Sequence, residues 1–204
     1  MSDSADISTL KGFSDALRDY PAKAGAAAAE ALNEAAWHAR DAGTALIESR
    51  TYLERPYIQK HLTVREEATR TDLLARVSAT RRSVLAPRYG AGVATTSAPG
   101  AKGDPSRKIP AGMKASGSTP WSVLRTGNKV AWRNVFFVWL KTSGAWGMVA
   151  RKGQWNGSRK ADWSQNLDVI HSLSVDQAWR GVREEVAPAA MAIAQERFLE
   201  AMAR

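Results

Sequence analysis

The stretch that most limits what this chain can fold into runs from Trp132 to Arg151, WRNVFFVWLKTSGAWGMVAR. After Asn134, the run Val, Phe, Phe, Val, Trp, Leu is β-branched and aromatic, which suits a pleated strand buried on both faces. Lys141 to Gly144 supplies turn residues, with Gly144 free to take positive φ. Ala145 to Arg151 then predicts a returning strand, with Trp146, Met148 and Ala150 on one face and Gly147 and Val149 on the other. A lone hairpin is marginal in water, so it needs a covering element. The expected cover is the helical segment that begins near Ser174, with Phe137, Trp139 and Val182 sharing one core.

The other elements follow in order. Ile7, Leu10, Phe13 and Leu17 recur at helical spacing, and Pro21 breaks that start or begins the next turn. A long Ala-rich helix is predicted from Ala22 to about Glu54, stopped by Pro56, with Leu32, Ala36, Ala39, Gly43, Leu46 and Ile47 on its packing stripe. Tyr57 to Leu62 reads as a helical turn and Val64 to Ala68 as its continuation or a connector. Leu73 to Ala79 alternates enough to be a strand in the sheet of the hairpin. Ser174 with Gln177 makes a capping-box pattern, and Pro188 should kink or interrupt the helix that follows. The sum is an α+β fold: a small antiparallel or mixed sheet against a long N-terminal helix and a C-terminal helix. Residues 1–204 read as one domain.

Two stretches fall outside this pattern. Residues 88–120 read as an extended loop or arm: from Pro87 to Pro120 the chain carries five prolines and six glycines, and Gly90 to Pro110 in particular is expected to stay mobile until neighbours order it. A short strand is expected within it at Gly112 to Ser116. Residues 152–168 read as a second, polar loop.

Charge is concentrated in the middle. Of a formal net charge of +9, the span from Arg88 to Lys160 holds thirteen Lys or Arg residues against the single acid Asp104. Six of the eight Trp residues lie between Trp121 and Trp163, so cations and rings are interleaved. That pattern fits nucleic acid, with Lys102, Arg107, Lys108, Lys114 and Lys129 facing phosphates, but much of the charge lies among glycines and serines with no nucleic-acid motif beside it, which favours a solvated loop region beside a Trp-rich core or subunit interface. Trp121, Trp132, Phe137, Trp139, Trp146, Trp155 and Trp179 are the candidate interface or core residues.

Catalytic chemistry has little support. His38, His61 and His171 are scattered, without a partner at metal-ligand spacing. Glu66 with Glu67, and Glu184 with Glu185, are adjacent pairs that splay apart on a helix. With no Cys, disulfides, Cys-bound zinc and thiol catalysis are excluded. No catalytic, metal or cofactor residue is assigned. The start MSDSADISTL has no secretory pattern and no run is long enough to span a membrane, so a soluble protein made inside a cell is expected.

The order of these features resembles the phage and prophage minor tail protein Z family, the tail-completion proteins. The likeness is carried by ALIESRTYLE, PYIQKHLTV, LLARVSA, NVFFVWLKTSGAWGMVAR and VIHSLSVDQAWRGVREEVAPAAMAIAQERFLEAMAR, which cover most of the chain in order. The long Gly/Pro arm, the insert around Trp121 and the loop around Trp155 depart from the family pattern. The resemblance implies a non-enzymatic virion protein of the tail and neck, assembled in the host cytoplasm. It further implies a homo-hexameric ring that meets tail terminator, tail tube and head-connector proteins and encloses passing DNA. A nucleic-acid-binding accessory protein is the alternative.

Overall fold

A computed structural model describes residues 22–151 and 167–203. The chain is α+β, with long helices towards its two ends and small antiparallel sheets between them. The described residues pack as two compact units, one drawn from residues 22–49, 53–82 and 174–203, the other from 50–52, 83–151 and 167–173.

The first unit is built on α1, Ala22–Arg50. Alanine has the highest helix propensity and, having no side chain beyond Cβ, lets neighbouring backbone come close. Ala24, Ala28, Ala31, Leu32, Ala35, Ala36, Ala39 and Ile47 are buried, whereas Glu30, Trp37, His38 and Asp41 face solvent. The helix ends six residues before Pro56, which instead opens α2, Arg55–His61. The physical reason is a long-range pairing: Thr51 forms an antiparallel bridge with Leu124, and the Arg50 carbonyl accepts the Arg125 N–H at 2.9 Å.

After α2 the chain turns directly into β1, Leu62–Glu66, where the sequence suggests a helical continuation or a connector. Its partner is β2, Arg76–Ala79, in the register Leu62↔Ala79, Thr63↔Ser78, Val64↔Val77. The strand expected in LLARVSA therefore exists, but it pairs with β1 and not with the 135–151 hairpin. Val64 and Val77 alternate with polar residues, so a hairpin of these two strands buries one face, and α1 holds what lies beside it by polar contacts. Asn33 grips Ala68 in both directions: its Nδ2 donates to the carbonyl at 3.0 Å and its Oδ1 accepts the N–H at 2.6 Å. Trp37 Nε1 donates to Glu67 at 3.2 Å.

The C-terminal segment forms α3, Val175–Arg180, and α4, Arg183–Ala203. The capping box is present: Ser174 Oγ accepts the Gln177 N–H at 3.1 Å and Gln177 Oε1 accepts the Ser174 N–H at 2.9 Å. Ser174→Ala removes one of those acceptors at a buried site and is expected to lower the stability of this unit by about 1 kcal/mol, measured by urea unfolding followed through helical circular dichroism. The helix is interrupted at Gly181 and not at Pro188, which lies inside α4. Gly181 N–H already bonds back to the carbonyls of Gln177 and Ala178, so the first helix closes there. Val186, Ala190 and Ala194 carry the buried face of α4, and Arg197 joins Glu34 of α1 at 2.8 Å.

Trp179 is buried in this unit and fills a notch in α1 at Gly43, where any added Cβ would run into the indole ring. The glycine in the packing stripe is thus required by the tryptophan.

The described residues of the second unit form three sheets. β3, Val84–Leu85, pairs with β9, His171–Ser172; β4, Val93–Ser97, pairs with β5, Met113–Ser118; and β6, Val135–Leu140, β7, Ala145–Arg151, and β8, Leu167–Val169, run side by side in that order. The β6–β7 register sets Phe137 against Met148 and Trp139 against Trp146, with Gly144 at φ 57° in the turn as the sequence predicts. Val135, Phe137 and Met148 are buried with Ala86 and Ala91, and Val93, Trp121, Trp146, Ala150 and Ile170 pack around them. The cover expected from the C-terminal helix is therefore corrected: Val182 belongs to the first unit, and the hairpin packs on residues 86–93, 121 and 170 of its own unit. Trp139 is exposed, so β6 is not buried on both faces.

The arm is also corrected. Residues 88–120 hold the β4–β5 hairpin and a 3-10 turn at Pro105–Arg107, so Gly90 to Pro110 is not structureless. Cross-strand hydrogen bonds satisfy the backbone, and Tyr89, Ala91 and Ile109 supply buried apolar surface that a composition count underrates. Gly117 takes φ 128° and lets the Trp132 carbonyl approach, where Ser118 N–H donates to it at 2.8 Å. The strand expected at Gly112 to Ser116 is β5. Of the polar loop 152–168, residues 152–166 lie outside the described residues, as does the N-terminal segment with Ile7, Leu10, Phe13 and Leu17.

Candidate partner-binding surface

The five candidate DNA-facing cations are carried by different parts of the second unit. Lys102, Arg107 and Lys108 lie in the long connection between β4 and β5, and Lys114 is exposed on β5 opposite Thr96. Arg107 is already engaged: its Nε donates to Asp104 Oδ2 at 2.6 Å, while Asp104 Oδ1 accepts the Ser106 hydroxyl at 2.6 Å and the backbone N–H groups of Ser106 and Arg107. Lys108 follows at φ 57°, and Asp104 pairs across the turn with Ile109. Asp104 and Arg107 thus build the turn, leaving Lys102 and Lys108 as its solvent-facing cations.

The Ser106 hydroxyl, then the Arg107 guanidinium, hold the Asp104 carboxyl down at about 2, against an ordinary value of 3.8. A folded value below the unfolded one means that the carboxylate supports the turn above the unfolded value, and that this support fades as pH falls through about 2. Carboxyl carbon shifts followed by NMR should show Asp104 titrating well below the ordinary aspartate value. Ser106→Ala and Arg107→Gln should each move its midpoint upward, Ser106→Ala by more.

Lys129 sits elsewhere. Its Nζ lies 5.0 Å from the Tyr52 ring centroid, and Arg125 Cζ lies 5.1 Å from the same ring, so two cations share one aromatic group. Arg125 Nε also donates to the Thr51 carbonyl at 2.9 Å. From there the surface continues along the chain: Val130 bridges to Trp121, whose ring tilts against Trp132 at 6.2 Å. Trp132 N–H is fixed on Ser118 Oγ at 2.9 Å. On the hairpin, Trp139 meets Trp146 edge-on at 5.6 Å.

The candidate aromatic residues therefore separate by role. Phe137 and Trp179 are core, the first in the second unit and the other in the first. Trp121 and Trp146 are half-buried against the Phe137 core. Trp132 is 40% exposed and Trp139 53%, and Leu124 at 46% and Val130 at 53% join them on the second unit. Trp155 lies outside the described residues. Tyr52, Leu124, Arg125 and Val130 escaped the sequence reading, because Tyr52 sat within a predicted helix and the pairing of 50–52 with 123–125 spans some seventy residues.

His38 and His171 are exposed, and His61 is occupied by packing on Tyr57 at 4.4 Å. Glu66 is on a strand and pairs with Arg76 at 3.2 Å, so the adjacent acids there serve structure. Among the described residues no group of three or more His, Asp or Glu is placed to hold a metal ion, and no helix is long and apolar enough to cross a membrane. No family model, curated protein or solved structure matches the chain.

Proposed function

We propose that this chain is a non-enzymatic structural subunit of a phage virion, which self-associates into a ring at the end of a tail and helps join tail to head. The phage context rests on the ordered resemblance to tail-completion proteins. Self-association rests on one observation: Leu124, Val130, Trp132 and Trp139 are exposed on the same unit. Exposed large apolar side chains favour a protein partner, because covering them with another surface removes them from water. Repeated head-to-tail contacts between copies close into a ring when the rotation allows, and six copies would match a tail of sixfold symmetry. Tail terminator, tail tube and head-connector proteins are the expected neighbours, with DNA passing through the lumen.

The deciding experiment is a deletion, followed by electron microscopy of lysates and mass measurement of the purified chain. Filled heads and tails of normal length that fail to join, with a purified protein that forms rings or caps tube ends, are the expected results. Absent tails would place the protein in tube building, and undiminished infectious particles would make it dispensable; both would overturn this reading.

A nucleic-acid-binding role is the second reading, favoured by the two cations on Tyr52 and by Lys102, Lys108 and Lys114. It requires a monomer that shifts DNA with a steep salt dependence.

A further inference from the structure

We propose that the 124–133 loop together with Tyr52 is the docking site for the acidic N-terminal segment, residues 1–20, of a second copy of this chain. The inference rests on the self-association proposed above and names its contact. The loop is one connected surface: Leu124 bridges to Thr51, Arg125 and Lys129 share the Tyr52 ring, Val130 bridges to Trp121, and Trp121 leans on Trp132. It exposes aliphatic and aromatic groups among Arg125, Lys129 and Arg133, and the sequence carries no acid between Asp104 and Asp162.

Residues 1–20 have the complementary chemistry. Asp3, Asp6, Asp15 and Asp19 outnumber Lys11 and Arg18, and Ile7, Leu10, Phe13 and Leu17 fall on one stripe at helical spacing. Such spacing, with acids beside the apolar positions, suits a recognition mode in which apolar anchors enter an apolar surface while rim charges set the orientation. Nucleic acid fits the loop less well: beside the Trp132 ring the loop exposes the aliphatic Leu124 and Val130, on which no base stacks, and the Tyr52 ring is engaged by two cations.

The test uses full-length protein, with mass and sedimentation as readouts and melting curves to establish that each variant folds. Leu10→Asp with Phe13→Asp damages the segment. Lys129→Glu with Arg133→Glu damages the loop, and Lys129→Gln with Arg133→Gln replaces that pair if the charge reversal unfolds. Each is expected to weaken self-association at least about tenfold, and raising salt from about 50 mM to about 500 mM should weaken the wild type. Mixing the two defective proteins should restore pairs and nothing larger, because one supplies an intact segment and the other an intact loop.

A wild type that assembles alongside variants that assemble equally well overturns the docking contact and leaves the ring reading standing. A wild type that is monomeric at every concentration overturns both. Loss in the loop variant alone shows that residues 1–20 are not the occupant. Unchanged assembly with lost binding to a single-stranded oligonucleotide assigns the loop to nucleic acid and overturns the proposal.

Discussion

Phe137→Ala is expected to destabilise the second unit by about 3–5 kcal/mol, a large part of what an ordinary domain has in total. Phe137 is buried opposite Met148 on the paired strand and in one cluster with Val135, Ala86 and Ala91, so truncation removes a ring from water-free packing and leaves a cavity there. The neighbouring alanines are too short to fill it. Because Trp121 and Trp146 border the same cluster, their fluorescence reports the loss directly. The chemical denaturation midpoint read from that fluorescence should fall well below the wild-type value. Trp139→Ala, at an exposed position on the same strand, should shift it far less. Equal effects from the two would contradict the inward placement of Phe137.

Trp179→Ala is expected to cost the first unit a similar amount, about 3–5 kcal/mol, through the loss of a buried indole. Its seat is the notch at Gly43, and the converse change tests the same contact from the other side. Gly43→Leu places a branched side chain where the ring lies, and overpacking of that kind costs about 1–3 kcal/mol or more. In the double variant Gly43→Leu with Trp179→Ala, the new side chain occupies space that the ring has vacated, so the double should be more stable than the sum of the two losses predicts. A double-mutant cycle by urea unfolding reads this coupling. Strict additivity would mean that the two residues do not share the notch.

Much of the local structure was legible in the sequence because it depends on residues close together in the chain. The Ala-rich run, the turn at Gly144, the two strands around it and the Ser174–Gln177 cap follow from propensity, alternation and capping chemistry, none of which needs a distant partner. The exposed cations at 102, 108 and 114 could be named from charge alone.

Tertiary structure decided which elements share a core. An apolar stripe announces that it will be covered without saying by what: β2 found β1 in place of the hairpin, and the hairpin found residues 86–93, Trp121 and Ile170 in place of Val182. Glycine and proline between residues 87 and 120 read as disorder because their composition lacks apolar mass, whereas ladder hydrogen bonds and the buried Ile109 order them. Helix ends behaved the same way. Gly181 and the bridge at Thr51 closed helices that Pro188 and Pro56 were expected to break, since an end is set by where carbonyls and N–H groups find other partners. The basic surface around Tyr52 existed in the sequence only as scattered letters, and a pairing between residues 51 and 124 brought them together.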